Sequence, residues 1–345
     1  MKTAIGVGGY VNAHVEDNVQ FFLAAETMGV DCVWSAEAWG QDAVTSIAYL
    51  AARTERIKLG TGIMQISARA PSMTAMTALS LHALSAGRFI LGLGASGPQV
   101  VEGLHGVDYR APLGRLRETL SICRLAFAGE KLRFAGKHFE LPRPGGEGKA
   151  IRLDHPPAEI PIYLATLGPK SLEFTGGAAD GWLGTSFSPD HASAHFDYID
   201  AGLREAGRSR ADIDLNAAVT VGIDEDVQRL IDARKPGVAF NLGGMGSAQT
   251  NFYNEAFQRA GYVDDAKAVQ ALWLEGKRKE AAARVPDEMV TQFQALGTVD
   301  MVRARLQRYK DAGVNTLNLR LDTAHGWDDR LALLEQTLDI IRALD

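Results

Sequence analysis

The chain has 345 residues, 46% hydrophobic and 23% charged, with a formal net charge of −6. That composition is enough for a sizeable core, and with no Lys/Arg-rich run interleaved with aromatics it excludes a nucleic-acid-binding surface. No apolar run approaches the roughly 18 residues of a membrane span, no secretory leader pattern opens the chain, and only two cysteines occur. Cys32 and Cys123 read as small buried residues, so a cytoplasmic location and no membrane partner are expected.

In chain order, short β-like runs alternate with helical ones. The strand runs are TAIGVGG (3–9), DCVWSA (31–36), IKLGTGIM (57–64), RFILGLG (88–94), IPIYLAT (160–166), GWLGTSF (181–187), LNAAVTVGI (215–223) and VNTLNLRL (314–321). Many are continuous Val/Ile/Leu runs, as parallel strands covered on both faces require. Eight β-α units in this order predict an α/β protein, a (β/α)8 TIM barrel with insertions over its C-terminal face. A doubly wound open sheet is the competing arrangement. No linker divides the chain, so one elaborated domain over 1–345 is expected, with insertions at about 131–159 and 225–297. The first carries a hairpin signal and the second is mainly helical. Asn241-Leu242-Gly243-Gly244-Met245-Gly246 in the second reads as a flexible loop, and the insertion as a lid, a substrate wall or an interface surface.

The run RFILGLGASG places Gly92, Gly94 and Gly97 in the G-x-G-x-x-G spacing of a dinucleotide site. A Rossmann site would need that motif in the first βα turn, a helix packed on the last glycine and an acidic residue closing the next strand. Here three strand runs come earlier, PQVVEGLHGVDYRAPLGR is too interrupted for one helix, and Glu118 falls in a helical run. In a barrel, Gly92 and Gly94 permit tight packing within the fourth strand. Ala95-Ser96-Gly97-Pro98 then lies just beyond its C-terminal end, where small residues let a ligand approach the backbone. Similar ends follow strand three (Gly62-Ile63-Met64-Gln65) and strand five (Ala165-Thr166-Leu167-Gly168-Pro169-Lys170). The latter reads either as an anion site at a helix start or as an ordinary N-cap by Thr166.

Together, WSAEAWGQDAVT (34–45), LGTGIMQISARAPSMTAM (59–76), LSAGRFILGLGASGPQVVEGLHG (84–106), IPIYLATLGPKSLE (160–173) and GVNTLNLRL (313–321) resemble the bacterial luciferase-like monooxygenase superfamily. Within it, ASGPQVVEG is similar to the branch using the deazaflavin coenzyme F-420, the branch of methylene-tetrahydromethanopterin reductases. The resemblance implies a barrel with the coenzyme at the strand ends and a non-prolyl cis peptide at Gly62-Ile63 backing the deazaflavin. It places coenzyme contacts at Gly62, Ile63, Gly94, Ser96, Gly97 and Pro98, and phosphate contacts at Ala165, Thr166 and Gly168. Glu37 and Trp39 become the catalytic candidates, the first as general acid or substrate polariser, the second as a pocket wall. Their bland alternatives are a helix-dipole acid and simple packing. Relatives that oxidise alcohols or sugar phosphates carry a histidine after the acidic residue, where this chain has Ala38. Hydride delivery to a C=C or C=N bond of a small molecule is therefore the expected reaction. The alternatives are an FMN-dependent monooxygenase and a flavin- or deazaflavin-binding protein without turnover. Of the histidines, His14 and His105 are candidates for the site mouth, and His82 reads as structural. No ligand-spaced His/Cys cluster occurs, so no metal is expected. A homodimer is the assembly the resemblance implies.

Overall fold

The strand runs form strands because β-branched and leucine side chains on both faces find apolar cover. The computed structural model describes residues 1–8, 15–247, 249–322 and 327–344. In it the strands are β1 (Lys2–Gly6), β2 (Cys32–Ser35), β3 (Lys58–Thr61), β4 (Met64–Gln65), β5 (Phe89–Gly94) and β6 (Phe134–Ala135). They continue as β7 (Glu140–Leu141), β8 (Ile162–Leu164), β9 (Gly181–Gly184), β10 (Asp214–Ile223), β11 (Ala295–Gly297) and β12 (Thr316–Leu321). Each of the eight runs read from the sequence overlaps one of the main strands. Eight parallel strands close into a barrel surrounded by helices, so the open-sheet and Rossmann readings fall. Gly92 and Gly94 end a barrel strand that three others precede in the chain. Glu118 lies within the helix Pro112–Phe127, where its carboxylate accepts from the backbone N–H groups of Lys137, His138 and Phe139. It anchors the β6–β7 hairpin and serves no ribose.

The chain sorts into two compact units. The first holds residues 7–19 and 32–165, where β2, β3, β5 and β8 pair in parallel, with Val33 opposite Leu59, Leu59 opposite Phe89 and Leu91 opposite Ile162. A buried polar joint ties β3 to β5 at Thr61, whose hydroxyl both donates to the Gly92 carbonyl and accepts from the Gly92 N–H at 2.9 Å. The second unit holds 1–6, 20–31 and 166–345, where β9 pairs β10, β10 pairs β12 and β12 pairs β1. Two glycines let its helices touch there. A Cβ on Gly202 would stand 1.8 Å from the Glu173 carbonyl oxygen, and one on Gly176 would stand 2.1 Å from that of Ile199.

Segment 225–297 is not a loose loop. Helices Val227–Gly243, Phe252–Arg259, Val263–Leu274, Arg278–Ala283 and Asp287–Phe293 share an apolar core that includes Leu242, Phe257, Val269, Met289 and Phe293. Asn241, Leu242 and Gly243, expected in a flexible stretch, belong to the first of these helices. Gly243 is glycine for packing, since a Cβ there would meet the Trp273 side chain at 2.3 Å. Among the described residues no helix is long and apolar enough to cross a membrane.

Candidate functional site

In the first unit the site is built on the C-terminal ends of β2, β3 and β5. The chain leaves β3 through a cis peptide between Gly62 and Ile63 and re-enters the sheet as β4, alongside Leu93 and Gly94. Gly62 donates to the Ser35 carbonyl at 2.6 Å, and Ile63 accepts from the Glu37 N–H at 3.2 Å. The resulting bulge leans on Gly94, where a Cβ would sit 2.9 Å from Ile63 Cδ1. Gly94 is therefore glycine to admit the Ile63 side chain. Gly60 and Gly62 play the same part for the Trp34 indole, since a Cβ on Gly60 would stand 2.2 Å from the nearest ring atom.

Glu37 locks the β2 loop to this bulge. One oxygen accepts from the Gln65 N–H at 2.8 Å and from Arg69 Nη1 at 2.6 Å, and the other accepts from Arg69 Nη2 at 3.1 Å. The amide of Gln65 returns the contact by donating to the Glu37 carbonyl at 3.1 Å. Only 8% of the Glu37 side chain and 20% of Arg69 meet solvent. A carboxylate held by a guanidinium fork is an acceptor and an anchor. The helix-dipole alternative fails, because the following helix Ala43–Ala51 is capped by Asp42, which accepts from the Thr45 N–H at 2.7 Å. Trp39 stands 60% exposed, which rules out simple core packing. Arg69, the residue that orders the group, was missed by sequence reasoning, because 32 positions separate it from Glu37.

Beyond β5 the backbone turns sharply. Ser96 is held at φ 60°, a left-handed conformation uncommon outside glycine, and its carbonyl accepts from the Tyr109 hydroxyl at 3.2 Å. Burial pushes the Tyr109 phenol up to about 12, so it remains a donor at working pH. Gly97 and Pro98 open a single short helical turn, Pro98–Val101. Ala165, the last residue of this unit, donates to the Leu93 carbonyl at 2.9 Å. Ser35 Oγ, Trp34 Nε1 and Gln65 Oε1, all at these strand ends, are buried without a hydrogen-bond partner. Buried polar atoms are paired in the great majority of cases, and orphans gathered on one rim fit a polar ligand. With the bulge residues Gly62 and Ile63 and with Ser96 half-buried, the residues fit a flat heterocyclic group.

In the second unit, Gly168 is the N-cap of the helix Pro169–Ala178, and no side chain caps that helix. The Thr166 hydroxyl pairs instead with Thr175 at 2.7 Å, so the N-cap reading of Thr166 is corrected. An unforeseen cation stands beside this helix start, where Arg259 donates to the Leu167 carbonyl at 2.5 Å. An uncapped first turn with a guanidinium beside it suits an anion such as a phosphate group. His105 is exposed, His82 is partly buried in the helix Pro71–Leu84, and His14 lies outside the described residues.

Glycine-lined strand ends and a cis bulge mark the first unit, and an uncapped helix start marks the second. The sequence pattern of the luciferase-like monooxygenase family matches residues 1–316, and the chain belongs to that family. It is 38% identical over 343 residues to a Mycobacterium tuberculosis protein provisionally named a coenzyme F-420-dependent oxidoreductase, covering 97% of this chain and 99% of the relative. It is 31% identical over 296 residues to the 5,10-methylenetetrahydromethanopterin reductase of Archaeoglobus fulgidus, covering 84% of this chain and 85% of that one. In three dimensions it matches the coenzyme F-420-dependent tetrahydromethanopterin reductase of Methanopyrus kandleri with a TM-score of 0.80 at 23% identity. That match covers 100% of this chain and 99% of the other, and it is a likeness of fold.

Proposed function

We propose that the chain is an F-420-dependent oxidoreductase that transfers a hydride between the coenzyme and a small organic substrate, acting as a reductase of a C=C or C=N bond. The observation that carries this reading is the cis bulge at Gly62–Ile63, buttressed by Gly94 and tied down by Glu37 and Arg69, in a chain whose relatives are named for this coenzyme. When bound in its reduced form, the coenzyme supplies the hydride from its deazaflavin C5. Within the first unit, Gly62, Ile63, Ser96, Gly97 and Pro98 would hold the ring through backbone contacts. Within the second, Thr166 and Gly168, with Arg259 beside them, suit a phosphate. Glu37 acts by fixing Arg69 and the bulge, and Trp39 offers an exposed aromatic wall. Ala38, in the place of the histidine base of the alcohol-oxidising relatives, supports reduction over alcohol oxidation.

Titration of the purified chain with F-420 and with FMN, followed by oxidation of reduced F-420 against a panel of enones and imines, tests the proposal. Binding of F-420 with turnover of at least one panel member is the expected result. Tight FMN binding without F-420 binding overturns it in favour of the flavin monooxygenase reading. We place the enzyme in the cytoplasm as a homodimer. The buried thiols of Cys32 and Cys123 support a reducing compartment, and light scattering checks the assembly.

A further inference from the structure

The second unit contains a recess of about 400 Å³ that the proposed coenzyme contacts leave unused. Its floor comes from one face of two neighbouring parallel strands. On β10 the alternate residues Ala217, Val219 and Val221 are buried in the core, leaving Ala218 and Thr220 on the opposite face. On β12, Leu317 and Leu319 are buried likewise, and Arg320 faces the recess in register with Thr220. Arg320 is the one charged residue of the run NTLNLRL.

Its surroundings do not neutralise it. Among the described residues it has no carboxylate partner, and none of the recess-lining residues is acidic. Arg320 is exposed to solvent within the recess, the chain packed around it lowers its pKa from the ordinary guanidinium value, and the nearby Tyr253 phenol opposes that shift. The second arginine of the recess, Arg234, uses Nη2 for Asp322 at 2.5 Å while its Nε is buried without a partner. Gln294 Oε1, also on the wall, is another buried orphan. The helical insertion supplies the rest, with Phe240, Phe257 and Phe293 giving an aromatic side. Residues past the end of β9 and the last residues of β12 open the recess on the C-terminal side of the strands, where barrel enzymes act.

We propose that this recess takes the organic substrate and that Arg320 receives a carboxylate borne by it, so that the substrate class is an apolar carboxylic acid carrying the reducible bond. The inference rests on the oxidoreductase reading for the word substrate, and its site stands on the recess alone. A lone guanidinium meets a planar monoanion through two parallel N–H donors, which a carboxylate matches. The aromatic side accounts for the apolar body.

The test uses trans-cinnamate and its uncharged analogue cinnamamide, titrated calorimetrically into the full-length chain. The wild-type chain, Arg320→Met and Arg320→Lys are compared after thermal melting shows that they are folded. Cinnamate is expected to bind the wild type at least tenfold more tightly than cinnamamide. R320M abolishes that preference and R320K keeps part of it. Equal binding of acid and amide, binding of neither, or a preference that survives R320M overturns the proposal. F-420 titration of the same preparations separates the two readings. A tenfold loss of F-420 affinity in R320M gives the recess to the coenzyme's own anionic tail and overturns the assignment to substrate. Failure of the wild type to bind F-420 while the carboxylate preference persists sinks the coenzyme reading alone.

Discussion

Two arginines, Arg69 in the loop before the helix Pro71–Leu84 of one unit and Arg320 on β12 of the other, have opposite surroundings. Arg69 meets both oxygens of Glu37, and that carboxylate also takes the Gln65 N–H, so the group is satisfied within the chain. Arg320 has no carboxylate partner among the described residues and looks into a recess with no acidic lining. A guanidinium that the chain itself neutralises positions backbone. One that it leaves open is positioned for an anion from outside. The difference separates framework from binding surface better than residue type does, since both sites hold an arginine.

The largest expected effect comes from breaking the satisfied member. Arg69→Ala leaves the Glu37 carboxylate buried and unpaired, a loss of about 3 kcal/mol in stability measured by urea unfolding. Replacing both residues by Met removes the stranded charge and costs much less than the single change. If the single and double changes cost the same, Glu37 is not held by Arg69 in the way the geometry shows. By contrast, Arg320→Met should leave the urea midpoint nearly unchanged, because no ion pair within the chain is lost.

The contrast also shows what the sequence can carry. The strands were legible because apolar runs and their glycine endings are local, and the bulge fell at Gly62–Ile63 as the resemblance implied. The partner of Glu37 was not legible. Arg69 sits 32 residues away, ahead of Pro71 at a helix start, and only the pairing of neighbouring barrel strands brings it back. The reason for Gly94 was hidden too, because it depends on where the Ile63 side chain goes. Arg320 did leave a signal, a charge near the end of VNTLNLRL. Reading that run as a core strand passed over it. The insertion misled for another reason. Two adjacent glycines read as flexibility, whereas Gly243 makes room for Trp273.

An orphaned polar group is not sufficient for a site, and His195 supplies the control. Both of its ring nitrogens are buried without partners, the ring packs against Trp182 and Phe187, and it does not line the recess that holds Arg320. Burial pulls its pKa from 6.5 down to about 3, with the nearby Arg259 adding to the shift. The folded chain thus favours neutral imidazole. As pH falls below 6.5 the unfolded chain takes up a proton that the folded chain refuses, and stability drops until the folded group itself titrates. At about pH 5.5 this amounts to about 1.4 kcal/mol. His195→Leu should remove that acid-side slope, read from urea midpoints between neutral and mildly acidic pH. An unchanged slope would mean that the imidazole is reached by water or a partner.

The smallest effect sharpens the comparison within the first unit. Tyr109 donates to the carbonyl of Ser96, the residue in the left-handed turn after β5, and it remains protonated because burial raises its pKa to about 12. Tyr109→Phe removes one hydrogen bond between partly buried groups, a loss of about 1 kcal/mol. Where that loss appears is informative. If the turn at Ser96 presents its backbone to the coenzyme, loosening it weakens F-420 binding by about fivefold, the same free energy read as affinity. That weakening should be independent of pH from mildly acidic to mildly alkaline, since the phenol does not titrate there. If stability falls while F-420 affinity stays constant, the turn is framework like Arg69. The coenzyme contact then moves back to the Gly62–Ile63 bulge.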